Sequence, residues 1–143
     1  VSTGKALTAE LTNDRWIQLL GYKLKVIKPK TAARRLLRIA KKYKFTLYEY
    51  YLSDHLGHLR LANEFEKLYA EMDEFLFTLL NEVDSKEMTI VICSDHGNLE
   101  DLSIKTHTRN PALTITAGKS AKAIAESVLD ITRVKEAIIK NCK

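Results

Sequence analysis

The chain has 143 residues, 45% of them hydrophobic and 29% charged, a composition that predicts one globular domain with a sizeable core. No apolar run is long enough to span a membrane, and two cysteines, Cys93 and Cys142, are too few for a disulfide-stabilised scaffold. These features exclude integral membrane proteins and small disulfide-rich domains, and they predict a cytoplasmic protein in which Cys93 is buried and reduced.

The net charge of +5 is unevenly distributed along the chain. Residues 1–44 carry 12 Lys or Arg against two acids, whereas residues 45–143 carry 11 against 16. A basic segment can bind an anionic partner. However, no aromatic side chains alternate with these cations in the way that single-strand nucleic-acid binding requires. We therefore interpret the basic segment as a solvated helix face and expect no nucleic-acid partner.

Helices and strands alternate in the first part of the chain. Residues 11–21 predict a short helix that ends at a glycine, and the alternating residues 22–27 predict a strand. Apolar residues at helical spacing in 30–44 predict a helix whose opposite side is basic. The aromatic and β-branched residues of 45–52 predict a second strand.

The second part of the chain continues this alternation. Apolar residues three and four apart predict a long helix over about 60–83. The continuous apolar run 88–93 predicts a central strand covered on both faces, and residues 112–118 predict a fourth strand. The tail from residue 119 is helical, in two pieces. Such alternation predicts an α/β fold with helices on the faces of a sheet.

Acidic side chains follow two of these strands directly. Asp54 comes after the strand of 45–52, and Asp95 comes after the strand of 88–93. Because ligands of α/β sheets bind at the carboxyl ends of the strands, both carboxylates are expected at the functional edge.

Three histidines accompany these aspartates. His58 is four residues after Asp54, His96 is next to Asp95, and His107 precedes the last strand. Gly97 can adopt a backbone conformation that is costly for other residues. The fourth histidine, His55, fits no pattern and is expected to face solvent or to support the other side chains from behind.

Imidazole nitrogens and carboxylate oxygens together suit Zn, Mn, Fe or Co better than Ca or Mg. Two histidines and one aspartate would leave a coordination position for water or a phosphate oxygen, and two neighbouring ions can clamp a displacement at phosphorus. Taken singly, each motif also fits a helix cap, a tight turn or a loop histidine. A nucleophilic Cys93–His96 pair is not favoured, because Cys93 is expected to face the interior.

Three segments in chain order resemble the metal-binding core of the alkaline phosphatase superfamily, most closely the branch of cofactor-independent phosphoglycerate mutase and phosphopentomutase. The resemblance covers about residues 45–118. The segments are Asp54-x-x-x-His58, Asp95-His96-Gly97-Asn98-x-Glu100 and His107-Thr108-x-Asn110-Pro111.

The resemblance implies a three-layer α/β sandwich with a mostly parallel sheet, here incomplete, and a site for two divalent ions, Mn or Zn. It implies that one ion is bound by Asp54, His58 and His107, and that Asp95 and His96 are two ligands of the other. This chain alone would then hold at most one ion well. The substrate would be a phosphorylated small molecule, and hydrolase and mutase (isomerase) activities both stay open.

Three further polar residues belong to the same motifs. Asn98 and Glu100 are candidates for orienting the ligands. Arg109 is a candidate for contacting a substrate anion, with a plain surface arginine as the equal alternative.

The sequence departs from that superfamily at its beginning. The family's second ion also binds an early aspartate and a nucleophilic Ser or Thr, and no such motif occurs here. Ser2, Thr3 and Thr8 are conceivable nucleophiles, but none follows an acidic strand end. We therefore expect the nucleophile upstream of this chain, and residues 1–143 to be a single metal-binding domain from the carboxyl-terminal part of a longer metalloenzyme. Alone, the chain would be inactive or weakly active.

A non-catalytic function is the alternative. The chain would then be a binding or assembly domain that uses the basic helix of 30–44 as its working face. Homodimerisation through an exposed sheet edge also stays open, because missing neighbouring strands would leave such an edge unpaired.

Overall fold

A computed structural model describes residues 3–141 of the chain. Two residues named above, Ser2 and Cys142, lie outside that range. The chain divides into two compact units, Val1–Glu82 and Val83–Lys143, and each is described by itself. No helix in the described part of the chain combines the length and the apolar composition that a membrane span requires.

The first unit is helical in its described part. A 3₁₀ turn at Ala62–Glu64 precedes its longest helix. Its helices are α1 (Asp14–Leu20), α2 (Pro29–Ala40), α3 (Leu52–Gly57) and α4 (Phe65–Glu82). The ends follow simple backbone rules. Pro29 occupies the first turn of α2, where its missing N–H is not needed, and Gly21 ends α1 in the left-handed conformation, with a φ of 66°.

Packing of α2 against α4 forms the core of this unit. On α2 the small residues Ala32 and Ala33 are fully buried, so the two helix backbones can approach closely. On α4 the buried side chains include Leu68 and Phe75. Burying one such large apolar side chain stabilises the folded state by about 1.5–3 kcal/mol. The arginines of α2 occupy its other side, so the basic face predicted from the sequence is present.

Two strand predictions are wrong for this unit, because neither 22–27 nor 45–52 forms a β-strand. A strand requires backbone hydrogen bonds to a neighbouring strand. In residues 22–27 a side chain provides such hydrogen bonds instead. The amide of Asn13 donates to the carbonyl of Lys25 at 3.0 Å and accepts from the N–H of Ile27 at 2.7 Å. Asn13 is 2% exposed, so this substitute for a strand neighbour lies in the interior of the unit.

The second unit contains a two-stranded sheet and two helices. Its elements are β1 (Thr89–Cys93), β2 (Thr114–Gly118), α5 (Ala121–Ser127), a 3₁₀ turn (Ile131–Arg133) and α6 (Val134–Asn141). β1 and β2 pair antiparallel, with Thr89 opposite Gly118 and Cys93 opposite Thr114. α5 packs on β2 and on α6, and its Ile124 is completely buried.

The sheet differs from its prediction. The strands of 88–93 and 112–118 and both tail helices are confirmed, and the chain is a mixed α/β protein. The described residues, however, form one antiparallel pair and not a mostly parallel sheet. β1 is half-buried and is not covered on both faces as predicted. Cys93, the last residue of β1, is exposed, and the prediction of a buried thiol is wrong.

Candidate metal centre

Asp54 and His58 form the first group of predicted ligands. Asp54 lies in the first turn of α3, which begins at Leu52, so it does not follow a strand as predicted. His58 is the residue at which α3 ends, and its backbone N–H donates to the carbonyl of Asp54 at 3.0 Å. Residues four apart share one face of a helix. As a result, the Nε2 atom of His58 lies 3.3 Å from the Oδ1 atom of Asp54.

This distance fits two ligands of one metal ion. Two atoms bound to a tetrahedral ion at about 2.0–2.2 Å are separated by roughly 3.3–3.6 Å. The same distance also fits an ordinary aspartate–histidine ion pair. Both side chains are partly buried, with 19% of His58 and 37% of Asp54 exposed, and the Oδ1 atom of Asp54 is itself buried.

The chain turns sharply after His58. Leu59 has a φ of 57°, a left-handed conformation that is uncommon for a bulky residue. Its N–H donates to Leu56 at 2.9 Å, and the N–H of Arg60 donates to His55 at 2.9 Å. These two bonds are the Schellman pattern, which usually has glycine at the left-handed position. The turn therefore fixes where the chain leaves α3 and, with it, the position of His58.

The second group lies in the second unit, on the segment between β1 and β2. Asp95 follows β1 as predicted, and its Oδ1 atom lies 3.5 Å from Nε2 of the neighbouring His96. The imidazole rings of His96 and His107 stack, with centroids 3.5 Å apart and planes inclined by 16°. The sequence placed these histidines 11 residues apart, and the fold of the segment brings them into contact.

Backbone hydrogen bonds hold the two sides of this segment together. Ser94 donates its N–H to the carbonyl of Leu113 at 2.9 Å, which continues the pairing of the strands beyond Cys93. Further along, the N–H of Thr108 donates to the carbonyl of Gly97 at 2.9 Å, and the two residues form an isolated bridge. This bridge holds together the two parts of the segment that carry His96 and His107, whose rings are in contact.

Glu100 is the centre of a hydrogen-bond network on the same segment. One carboxylate oxygen accepts from the hydroxyl of Thr108 and from the amide of Asn110, the latter at 3.0 Å. The other accepts from the backbone N–H of Asn98 at 2.7 Å. The hydrogen bond from Thr108 is the main cause that lowers the pKa of Glu100 to about 2, with the amide of Asn110 and the N–H of Asn98 adding to it. The carboxylate is thus ionised at neutral pH and ties the His96 side of the segment to the His107 side.

Gly97 is required by space and not by backbone conformation. It is absent from the glycines with positive φ, so it does not use the conformational freedom that the sequence allowed. A Cβ atom added at Gly97 would lie 2.6 Å from the carboxylate of Glu100 and still closer to the hydroxyl of Thr108. Any larger residue would separate the two sides of the segment.

The sequence prediction missed part of this arrangement. Thr108 and Asn110 were noted only as motif letters, although both bind Glu100. Their spacing is the signal that could have identified them. Glu100 lies eight residues before Thr108 and ten before Asn110, so its carboxylate can accept hydrogen bonds from both when the segment folds back. Asn98 is buried, His55 is half-buried and Arg109 is exposed. Of the conceivable nucleophiles, Thr8 is buried and donates to the carbonyl of Thr12 at 2.6 Å, which makes it structural.

Comparison with known proteins places this geometry in a family. The 2,3-bisphosphoglycerate-independent phosphoglycerate mutase of Parabacteroides distasonis is 29% identical over 111 residues, which are 67% of this chain and 22% of that enzyme. The enzyme of the same name from Clostridium botulinum is 27% identical over 92 residues, which are 59% of this chain and 18% of that enzyme. The chain thus matches about a fifth of the length of these curated relatives. No solved structure matches it.

A family model gives the broadest match. It is described as Metalloenzyme superfamily, and it covers residues 20–141, which include both groups of candidate ligands. This chain therefore belongs to the metalloenzyme superfamily.

Proposed function

We propose that this chain is the metal-binding part of an enzyme that transfers or hydrolyses a phosphate ester. The observation that carries the proposal is the family match over residues 20–141, within which imidazoles and carboxylates come together in each unit. The mutase relatives support a phosphorylated small molecule as substrate, through their names alone.

The ligand assignment is part of this proposal. Asp54, His58 and His107 hold one divalent ion, and Asp95 and His96 are two ligands of a second. The 3.3 Å and 3.5 Å contacts between carboxylate and imidazole within each unit support it, because both match the spacing of two ligands on one ion. Nitrogen and oxygen ligands of this kind are suited to Mn or Zn.

Each group of residues has a stated task in this proposal. Bound divalent ions would polarise the phosphoryl group and stabilise the charge that develops on it. Glu100 keeps the His96 and His107 sides of their segment together, as its three hydrogen bonds indicate. Arg109, which is exposed beside His107, contacts the substrate anion. The nucleophilic hydroxyl is supplied from outside residues 1–143, in keeping with the short share of the relatives that the chain matches.

The proposal extends to the fold. In the longer protein, residues 22–27 and 45–52 become strands of a mostly parallel sheet between two layers of helices, once neighbouring strands pair with them. Amide hydrogen exchange tests this. Slow exchange over 45–52 in a longer protein, against fast exchange in this chain, is the expected result. Equal exchange in both would contradict the proposed sheet.

Metal binding by the purified chain is the first test of the proposed function. We expect about one Mn or Zn per chain, with a rise in the unfolding temperature on metal addition. Both effects should disappear in His58→Ala and His107→Ala. The matched control is His55→Ala, because His55 is also half-buried on α3 but is not a proposed ligand.

The outcomes separate the proposal from its alternatives. Metal binding that survives His58→Ala and His107→Ala would contradict the ligand assignment. Hydrolysis of a generic phosphate monoester should be slow in every variant, since this chain has no assigned nucleophile. Turnover by residues 1–143 alone at the rate of an intact relative would show that the nucleophile lies within the chain.

A further inference from the structure

An exposed turn after α2 combines lysines with aromatic rings. It consists of Lys41, Lys42, Tyr43, Lys44 and Phe45, and we call it the basic turn. All five residues are exposed, with 66% of Tyr43 and 61% of Phe45 accessible to solvent. The basic turn contains none of the proposed metal ligands, so a binding function of this turn goes beyond the proposed function.

Backbone hydrogen bonds continue the winding of α2 into the basic turn. The N–H groups of Lys41, Lys42 and Tyr43 donate to carbonyls of α2 three or four residues earlier, at 2.9–3.1 Å. Because residues three and four apart share one face of a helix, Arg38 lies on the same face as Lys41 and Lys42. Arg38 donates to the carbonyl of Gly4 at 3.1 Å, a neutral group that leaves its positive charge in place. Four positive charges therefore lie within seven residues at the C-terminal end of α2.

Acidic side chains do not balance the lysines of the basic turn. Within residues 3–141, Lys41, Lys42 and Lys44 form no salt bridge with an aspartate or a glutamate. Cations at the C-terminal end of a helix interact favourably with its dipole, and this effect alone accounts for Lys41 and Lys42. It does not account for Tyr43 and Phe45, whose apolar ring area stays in contact with water beside these charges.

We propose that the basic turn binds the surface of an anionic lipid membrane. Lysine side chains are attracted to negatively charged headgroups, and aromatic rings such as those of Tyr43 and Phe45 favour the boundary between headgroups and acyl chains. A membrane surface presents this negative charge and this apolar boundary together, and binding to it requires no membrane-spanning helix. The lysines precede residues 45–52, so they stay outside the sheet proposed for the longer protein.

Charge and size argue against two other partners. A second copy of this chain would place one basic turn against another, and the like charges would repel. Single-stranded nucleic acid binds to aromatic side chains that are spread along a basic groove, so that successive bases can stack. The two rings of the basic turn belong to five consecutive residues instead.

The test is co-sedimentation of the 143-residue chain with lipid vesicles. One set contains phosphatidylcholine with about 30% phosphatidylserine, and the neutral control contains phosphatidylcholine alone. EDTA is present throughout, so that a bound metal cannot bridge the protein to lipid phosphates. We expect saturable binding to the anionic vesicles and little binding to the neutral ones. Raising the salt concentration from about 0.15 M to about 0.5 M should weaken the binding, because it screens the lysines.

Two variants locate the binding on the basic turn. Lys41→Gln/Lys42→Gln/Lys44→Gln should weaken binding to the anionic vesicles about tenfold or more, because each lysine near the surface contributes to the attraction. Tyr43→Ser/Phe45→Ser keeps every charge and should also weaken binding, since the apolar contact is lost. All five positions are exposed, and circular dichroism with the unfolding midpoint confirms that each variant folds.

The matched control is Lys25→Gln/Lys28→Gln/Lys30→Gln. It removes the same charge from exposed positions at and before the other end of α2. A helix of 12 residues is about 18 Å long, which exceeds the screening length at about 0.15 M salt. We therefore expect the affinity of this variant to stay within about twofold of the wild type.

Four results would overturn the proposal. One is equal binding to anionic and neutral vesicles, or no binding to either. Another is equal weakening in the two lysine variants, which would assign the effect to the general positive charge of the chain. The third is full affinity in Tyr43→Ser/Phe45→Ser, which would leave the rings without a role. The last is tighter binding of a single-stranded RNA oligonucleotide that is lost in the same variants of the basic turn, which would make nucleic acid the partner.

Discussion

At the scale of single residues, Glu100 connects the two sides of the segment that carries His96 and His107. Its carboxylate binds three partners that flank His96 and His107 along the chain. Glu100→Gln should therefore loosen the segment and weaken metal binding about tenfold, a usual effect of removing a residue that orients ligands. Isothermal titration with Mn or Zn measures the affinity, and amide exchange at Thr108 reports the loosening independently of the metal.

The control for this substitution is Asp101→Asn. Asp101 is the next residue and loses the same charge, but its carboxylate binds the backbone and hydroxyl of Ser103 at 3.0 Å and 2.6 Å. It should change neither the metal affinity nor the exchange of Thr108. If the two variants weaken the metal equally, the effect of Glu100 is one of charge and not of position.

Residue-level prediction succeeded where chemistry is local. The i,i+4 spacing of Asp54 and His58 was enough to predict their contact, because a single helical turn determines it. It did not identify the reason for Gly97, whose need for glycine arises from Glu100 and Thr108. It also missed Asn110, because a bond between residues ten apart depends on how the whole segment folds.

At the scale of secondary structure, Asn13 replaces a strand for residues 25–27. Its buried amide bonds both the carbonyl of Lys25 and the N–H of Ile27. Asn13→Ala would leave these two backbone groups without that partner, at a cost of about 1–3 kcal/mol in the free energy of unfolding. Denaturant unfolding followed by circular dichroism measures the change.

The matched control is Asn81→Ala on α4. The amide of Asn81 also donates to a backbone carbonyl, that of Phe77 at 2.8 Å, but at an exposed position. Because water can replace that bond, we expect a change within about 0.5 kcal/mol. A loss at Asn81 as large as at Asn13 would contradict the bridging role of Asn13.

Elements with local causes were predicted well, and strands were predicted less well. The sequence located α4 and the tail helices, because the backbone hydrogen bonds of a helix form within the helix itself. The segments 22–27 and 45–52 have strand-forming composition, yet they lack a strand neighbour among the described residues. β-propensity expresses packing against neighbouring strands, so composition alone cannot decide whether such a segment pairs.

At the scale of the whole molecule, carboxylates that hydrogen bonds keep ionised determine the acid response. The pKa of Glu82 is lowered chiefly by its hydrogen bonds from Arg34, and the pKa of Asp130 chiefly by its hydrogen bond from Thr132. Glu100 is shifted furthest, to about 2. One carboxylate acts in the opposite sense, because burial raises the pKa of Glu71.

The direction of the pH effect follows from these shifts. A group whose pKa is lower in the folded state contributes stability that is complete above its unfolded value and is lost as the pH falls through its folded value. Glu82, Asp130 and Glu100 therefore lose their contributions as the pH falls below the usual range of carboxylates near 4. The contribution of Glu71 is present below its unfolded value and is lost as the pH rises through its raised folded value. Burial opposes the shift at Asp14, but hydrogen bonds from Lys67 and Thr12 lower the pKa of that carboxyl as well. Four groups against one therefore predict a net loss of stability in acid.

Unfolding midpoints in urea between about pH 6 and pH 2.5, in metal-free buffer, test this prediction. We expect the midpoint to fall steadily below about pH 4.5, because the unfolded chain then binds more protons than the folded chain. Glu100→Gln should flatten the lowest part of the curve, where the wild-type carboxylate with its pKa of about 2 still resists protonation. Glu71→Gln should instead leave the acid fall intact and raise the midpoint near neutral pH, since it removes a buried charge. A curve that is unchanged by Glu100→Gln would show that its hydrogen bonds do not persist in solution, and the role assigned to Glu100 at the proposed metal centre would fall with it.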